Sequence, residues 1–459
     1  MSSKKWNLEA LKSALRSDSR IKGWIVTEEN TARRERYFLS DSAELSIDQD
    51  RETRSQAITL QLMVKLEKAG KQGEITQRLF TDQTLEPQLA VALEAASGTE
   101  HQEWSLPAPL PQNEIPLRVS CDPAIAEDLE SSMDQLTSKI SAAVATRRPT
   151  PFNSAELFVS VHDRALHLSN GLTHRSSQSR IYAEAAYSMA GKDSTGAQVS
   201  DEFLETTWAV GLRDLDIEKL FNDCSQCAEN SVQVSLPDTG KYAVVIDASS
   251  LAALFGSAVS QLSSSQKYNR LPFLEPGSEL IPAATGDLIT LSLDPTLELG
   301  GDTTALSDSG LLQTPLELVK DNRVLTSCTD QRYAQYLGCV ATPSRGSLVI
   351  KAGTAGYDEL TKSAPVVIEV LQFSSLLPDP NSGTFSSEIR LAKLHDNVRG
   401  EVRYIKGGCL SGSIRENFKS AQFSNTQVRR AHFSSGQSQG FGYFGPSHAL
   451  IRDVSIVGV

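Results

Sequence analysis

Apolar residues recur at three- and four-residue steps in a few stretches of this chain, and at alternate positions through much of the rest. Leu8, Leu11 and Leu15 share one face of a helix over 7–16. Gly23 ends that unit, and a strand begins at Gly-Trp-Ile-Val. Mixed alternation predicts strands over 34–40, 43–48 and 53–66, then a turn at 68–73 and a strand to Phe80, the pattern of an antiparallel meander. Helical spacing returns over 85–96 and stops at Gly98. Residues 105–116 are proline-rich; proline fixes the chain as extended and removes amide donors, so this stretch reads as an internal linker. A long helix follows. Asp122 is its expected N-cap, Pro123 suits the first helical position, and the apolar stripe runs Ile125, Leu129, Met133, Leu136, Ile140, Val144. Pro149 and Pro151 stop it.

From Ala155 the alternation of strands resumes, with Ser169-Asn170-Gly171 as a hairpin turn. A helix is expected over 214–229, opened by Asp214 or Asp216, then a turn at 237–240 and a short buried strand, Tyr-Ala-Val-Val-Ile-Asp. Residues 249–265 read as helix, 330–337 and 357–363 as further helices, and 299–310 and 434–445 as polar or glycine-rich loops. No repeat of fixed period occurs. The fold class is α+β: an N-terminal antiparallel sheet with flanking helices, then a largely antiparallel β domain with a few helices. A chain of 459 residues exceeds one core, and the expected division is 1–235 and 236–459.

Composition narrows the function classes. No apolar run approaches the ~20 residues that span a bilayer, so no membrane partner is expected. The N-terminus has a basic start without the apolar core of a secretory signal. Six cysteines in so long a chain read as reduced thiols in the cytoplasm. A formal charge of −12 disfavours nucleic acid, which needs a basic stripe. The Arg pairs 147–148 and 429–430 read as solvated surface.

Four segments, in order, resemble the TldD/PmbA (TldD/TldE) family. They are the hairpin from Leu166 to Ala190; Asp214 to Val232 with Gly240 to Ser260; Ser307 to Gly338; and Gly383 to Phe418, which contains Lys-Gly-Gly-Cys-Leu-Ser-Gly-Ser-Ile-Arg-Glu-Asn-Phe, with the terminal Pro-Ser-His-Ala-Leu-Ile-Arg-Asp-Val-Ser-Ile-Val-Gly. Each motif is weak alone; their order over about three hundred residues gives the resemblance its specificity. The resemblance implies a heterodimer of two paralogues around a large cavity. One paralogue binds zinc through HExxxH on the first helix of the C-terminal domain, with a later cysteine as third ligand and the glutamate as general base. The other, PmbA or TldE, holds no metal and completes the chamber. Unfolded or extended peptides are the implied substrates, a TldD-like zinc-bearing chain the implied partner, and "modulator of DNA gyrase" an older family label. Self-association in isolation stays open. The stretch after Leu337 is shorter than the family's usual loop and lacks its TGN pattern.

Two histidines one turn apart on a helix can share an ion, and a neighbouring glutamate can take a proton from bound water. The matching helix here, Ser-Ser-Leu-Ala-Ala-Leu-Phe-Gly-Ser-Ala-Val-Ser-Gln-Leu, has Gly256, Ser257 and Gln261 near the motif position and no His, Glu or Asp. The segment from Ser434 to Leu450 has no cysteine. No catalytic, metal or cofactor residue is therefore assigned, and zinc is expected in the partner. His162, His167 and His174 read as strand histidines, and Cys224 and Cys227 as semi-buried helix residues despite their CxxC spacing. Gly436 to Gly440 matches GxSxG around Ser438 but lacks the strand and helix of a nucleophile elbow. Ser264 and Lys267 match SxxK, which keeps a serine-type hydrolase as an alternative, beside a stand-alone peptide- or protein-binding modulator. Gly407, Gly408, Gly412 and Asn417 are the candidate chamber-lining residues: glycines permit positive φ and close backbone approach.

Overall fold

The computed structural model describes residues 5–41, 44–147, 150–192, 196–433 and 440–458. Helix α1 (Leu8–Ser17) is capped by Asn7, whose side chain accepts from the amide of Ala10. Strands β1 (Ile21–Asp41) and β2 (Glu44–Lys65) form one long antiparallel hairpin. That differs from the separate short strands expected over 34–66, because both faces of the outer hairpin are polar and alternation is lost there. β3 (Lys71–Leu79), α2 (Leu85–Ser97) and the short β4 (His101–Gln102) follow. The expected single helix from Asp122 is two: α3 (Pro123–Glu127) and α4 (Leu129–Thr146), broken at Asp128, which leaves the helical region to cap α4 by accepting from the amide of Ser131. β5 (Phe152–Leu168), β6 (Thr173–Lys192) and β7 (Gln198–Ala209) complete an antiparallel sheet in the order β4-β3-β2-β1-β5-β6-β7, and α5 (Ile217–Asn230) packs against β6 and β7. Pro149 and the site of Arg148 lie outside the described residues.

The proline-rich stretch is not a free linker. It carries a 3-10 turn at Gln112–Glu114, and Leu106, Leu110 and Ile115 pack against Trp104, Leu166, Leu168 and Leu306. Asn170 donates to the carbonyl of Pro107 at 2.8 Å, and Gln335 donates to that of Ser105 at 2.7 Å.

The rest of the chain builds two more sheets. β8 (Gly240–Asp247) leads directly into α6 (Ala248–Ser260), with the one-turn α7 (Ser264–Tyr268) after it. Then come β9 (Leu291–Asp294), β10 (Leu316–Lys320), β11 (Arg323–Val324), α8 (Gln331–Leu337), β12 (Ser347–Ile350) and α9 (Tyr357–Thr361). β13 (Val366–Phe373), β14 (Leu377–Pro378), β15 (Thr384–Asp396), β16 (Glu401–Ile405) and β17 (Cys409–Ser413) precede the single turn α10 (Ile414–Asn417). The chain ends with β18 (Gln422–Phe423), β19 (Gln427–His432), β20 (Phe441–Pro446) and β21 (His448–Val457). One sheet runs β11-β10-β9-β12-β20-β19 and the other β13-β8-β21-β17-β15-β14, with β16 added on β15. Pairing is antiparallel except for β8 with β13 and β12 with β20. The architecture is the α+β arrangement expected. β20 falls in a stretch whose glycines predict a loop; Gly442 is needed there because a Cβ would sit 2.1 Å from Ser347 Oγ on the neighbouring β12. Asp201 on β7 bonds Lys406 at 2.6 Å and Arg390 at 3.1 Å, tying the first sheet to the others. No helix among the described residues is long and apolar enough to cross a membrane.

Candidate functional site

Helix α6 occupies the place where the resemblance puts a metal site. Asp247 opens it, accepting from the amides of Ser249 and Ser250. Leu251, Leu254, Phe255 and Ala258 sink into the largest core. Gly256 faces Phe441, Ser257 Oγ is buried without a partner among the described residues, and Gln261 donates to the carbonyl of Pro380 at 2.8 Å. Hydroxyls and an amide do not suit zinc, which takes imidazole, thiolate and carboxylate donors. Among the described residues no group of three or more His, Cys, Asp or Glu could hold a metal ion. Gly256 and Ser257 on α6 and Gln261 at its C-terminal end do not fit zinc.

The candidate chamber residues fall in two places. Gly412 and Asn417 meet: a Cβ on Gly412 would lie 2.3 Å from Asn417 Oδ1. That oxygen accepts from the amide of Ser413 at 2.6 Å, and Asn417 Nδ2 donates to the carbonyl of Arg452 at 2.7 Å. Both line an open groove of about 590 Å³ with Asp379, Phe385, Glu416 and Asp453. Gly407 and Gly408 sit elsewhere, in a left-handed turn (φ 80° and 77°) against Leu236 and Pro237.

Ser264 and Lys267 of the SxxK match each have other partners. Ser264 Oγ is buried against Thr329 Oγ1 at 2.5 Å, while Lys267 Nζ pairs with Glu275 at 2.9 Å over the ring of Phe273. Ser438 of the GxSxG match lies outside the described residues. Cys224 Sγ donates to the carbonyls of Ala185 and Phe203, and burial pushes the Cys227 thiol up to about 12, so neither is a ready thiolate.

A surface that sequence spacing did not reveal lies on the first sheet. One face is sealed by α3, α4 and α5 over Leu157, Val159, Ile181 and Ala183. The other face is lined in rows set by the strand register. Glu35, Phe158, Tyr182 and Trp208 stand side by side across β1, β5, β6 and β7; Tyr37, Glu156, Glu184 and Thr206 form the next row. Ring centroids step from Tyr37 to Phe158 (5.4 Å), Tyr182 (5.2 Å) and Trp208 (4.8 Å), then to Phe433 (5.6 Å) beyond the sheet edge. Below these rows a polar cavity of about 80 Å³ is walled by Thr31, His162, Arg164 and Arg180 and closed by Asp302 and Arg345.

The three strand histidines do not converge. His162 bonds Thr31 Oγ1 at 3.1 Å and Ser160 Oγ at 3.0 Å on this face, His174 stands across from Leu166, and His167, on the other face, has both ring nitrogens buried without partners among the described residues. Burial, then Arg180 and Arg33, lowers His162 to about 3. The native state thus binds fewer protons than the unfolded chain below pH 6.5. This stability is complete above 6.5 and is lost as pH falls towards 3, by up to about 1.4 kcal/mol per pH unit. His162→Gln, which can keep the hydroxyl contacts, is expected to lose less stability between pH 6 and 5 than the parent in urea titrations; parallel losses would remove His162 as a source of acid sensitivity.

Residues 239–458 match the PmbA/TldA metallopeptidase C-terminal domain. Three solved structures share the fold. TldE from Thermococcus kodakarensis is 17% identical with a TM-score of 0.72, covering 98% of this chain and 100% of its own. A proposed modulator of DNA gyrase from Thermotoga maritima is 16% identical, also at 0.72 with 98% and 100% coverage. Another from Bacteroides thetaiotaomicron is 15% identical at 0.71, with 98% of each chain covered. No curated protein is significantly similar in sequence.

Proposed function

This chain belongs to the TldD/PmbA metallopeptidase family, and from that premise we propose that it is the non-catalytic, TldE/PmbA-like subunit of a cytoplasmic heterodimeric zinc protease that degrades or processes unfolded peptides. One observation carries the reading: α6, the first helix of the matched domain, offers no donor for zinc and no carboxylate to activate water. Its role is to wall the chamber and hold an extended peptide, while a TldD-like partner supplies the metal. The groove at Gly412 and Asn417 and the open face of the first sheet are the surfaces available for that role.

The purified chain is expected to carry no zinc by elemental analysis and to leave an unfolded casein-type substrate intact. Adding an HExxxH-bearing relative encoded in the same genome is expected to start cleavage. Stoichiometric zinc on the lone chain would overturn the proposal. A second reading, a stand-alone peptide- or protein-binding modulator, draws on the gyrase-modulator description of two fold relatives. Co-purification separates the two: recovery of a zinc-bearing relative with this chain supports the subunit reading, and its consistent absence supports the modulator.

A further inference from the structure

On the open face of the first sheet, Glu156 and Glu184 stand directly opposite each other on β5 and β6. Like charges in that position destabilise a strand pair. Neither carboxylate is ion-paired among the described residues, where salt bridges on this face go to Glu35 and Glu29 instead. Among the described residues Glu184 accepts the Tyr182 hydroxyl, at 2.5 Å. Burial, followed by Glu184 and Glu35, holds the Glu156 carboxyl above the usual range against the pull of Arg33. The fold gains nothing visible from this pair.

The surroundings fit a cation. Tyr37 stands opposite Glu156, and Phe158 and Tyr182 are stacked 5.2 Å apart in the adjoining row. Rings on this face already carry guanidinium groups: Arg33 lies 4.5 Å over Phe158 and Arg51 5.3 Å over Tyr37. An anionic occupant is repelled by the two carboxylates, and a purely apolar one would bury them unpaired. A bare ammonium ion is too small. The aromatic row crosses four strands, roughly 14 Å at ~4.8 Å per strand, which is the length of about four extended residues.

We propose that this patch docks an extended peptide through a lysine or arginine side chain, the cationic head between Glu156 and Glu184 and the stem along Tyr37, Phe158 and Tyr182. The proposal rests on the reading of this chain as a peptide-handling subunit and adds a side-chain preference to it.

The test is fluorescence anisotropy with a labelled alanine–serine decapeptide holding one central arginine, and with its uncharged citrulline twin. The full chain is expected to bind the arginine peptide at least ten-fold more tightly at low salt. Glu156→Gln combined with Glu184→Gln is expected to abolish that preference, while Glu86→Gln, on the exposed side of α2, keeps it. The double variant relieves a like-charge contact, so it should melt no lower than the parent, and a melting scan confirms that it is folded. Equal affinity for the two peptides, or a preference that survives the double variant, overturns the docking proposal and leaves the subunit reading standing. Binding of neither peptide also overturns it; the subunit reading is then decided by the reconstituted cleavage assay alone.

Discussion

Asp302→Ala is expected to lower the stability of the fold by about 3 kcal/mol, the scale for removing one partner of a buried ion pair. Asp302 and Arg345 retain only 12% and 18% of their side-chain exposure. Arg345 Nε donates to Asp302 Oδ2 at 3.0 Å, Nη2 reaches Oδ1, and the amide of Gly346 donates to Oδ2 at 2.8 Å. Burial opposes the charge on Arg345, and Asp302, with a contribution from Asp308, more than offsets it. Alanine would leave the guanidinium in the protein with Asp308, 3.8 Å away, as the remaining counter-charge shown. One backbone amide would also lose its acceptor. The loss should be much the same at pH 6 and pH 9, since arginine does not titrate there. Adding Arg345→Met should recover a good part of it, because the stranded charge is then gone. Urea midpoints of the parent, both singles and the double decide the matter. A single-variant loss below about 1 kcal/mol, or a double variant no better than Asp302→Ala, would show that the clamp does not support the loop closing the polar cavity.

What the sequence disclosed follows the range of the signal. Asp122 and Asp216 cap α3 and α5 as expected, and Gly171 closes the β5–β6 hairpin, because caps and tight turns are decided within a few residues. The alternation shows the β1–β2 hairpin only as fragments because Asn30 to Arg36 is largely polar and is a strand only through its partners. β20 carries glycines that look like a loop; they are there because β12 and the chain at Gly301 approach too closely for side chains. The helix break at Asp128 was hidden by an apolar stripe that continues across it. Among candidate site residues, Gly412 and Asn417 do come together, whereas Gly407 and Gly408 form a separate turn. The aromatic row had no sequence signal at all. Tyr37, Phe158, Tyr182 and Trp208 are single residues on four strands; only the register sets Phe158, Tyr182 and Trp208 side by side, with Tyr37 diagonal to them in the adjoining row.

Glu205→Gln is expected to stabilise the protein at pH 8 and to do little at pH 5. Glu205 lies on the helix-covered face of β7, accepting from Gln372 Nε2 at 3.1 Å. Burial first, then Asp247 and Asp223, raises its carboxyl from 4.5 to about 7, against the contributions of Gln372 and Arg430. The native state therefore holds a proton between pH 4.5 and 7 that the unfolded chain has released. Stability from this group is complete below 4.5 and is lost as pH rises through 7. The shift corresponds to roughly 3 kcal/mol at pH 8, and partial solvent access reduces the expected gain to about 2 kcal/mol. Glutamine keeps an acceptor for Gln372 and carries no charge at any pH. The gain should appear as a higher urea midpoint for the variant at pH 8, shrinking to near zero by pH 5. A variant no more stable than the parent at pH 8 would mean that Glu205 is solvated well enough to ionise freely, and that the junction between β7 and β13 is wetter than the packing around Gln372 implies.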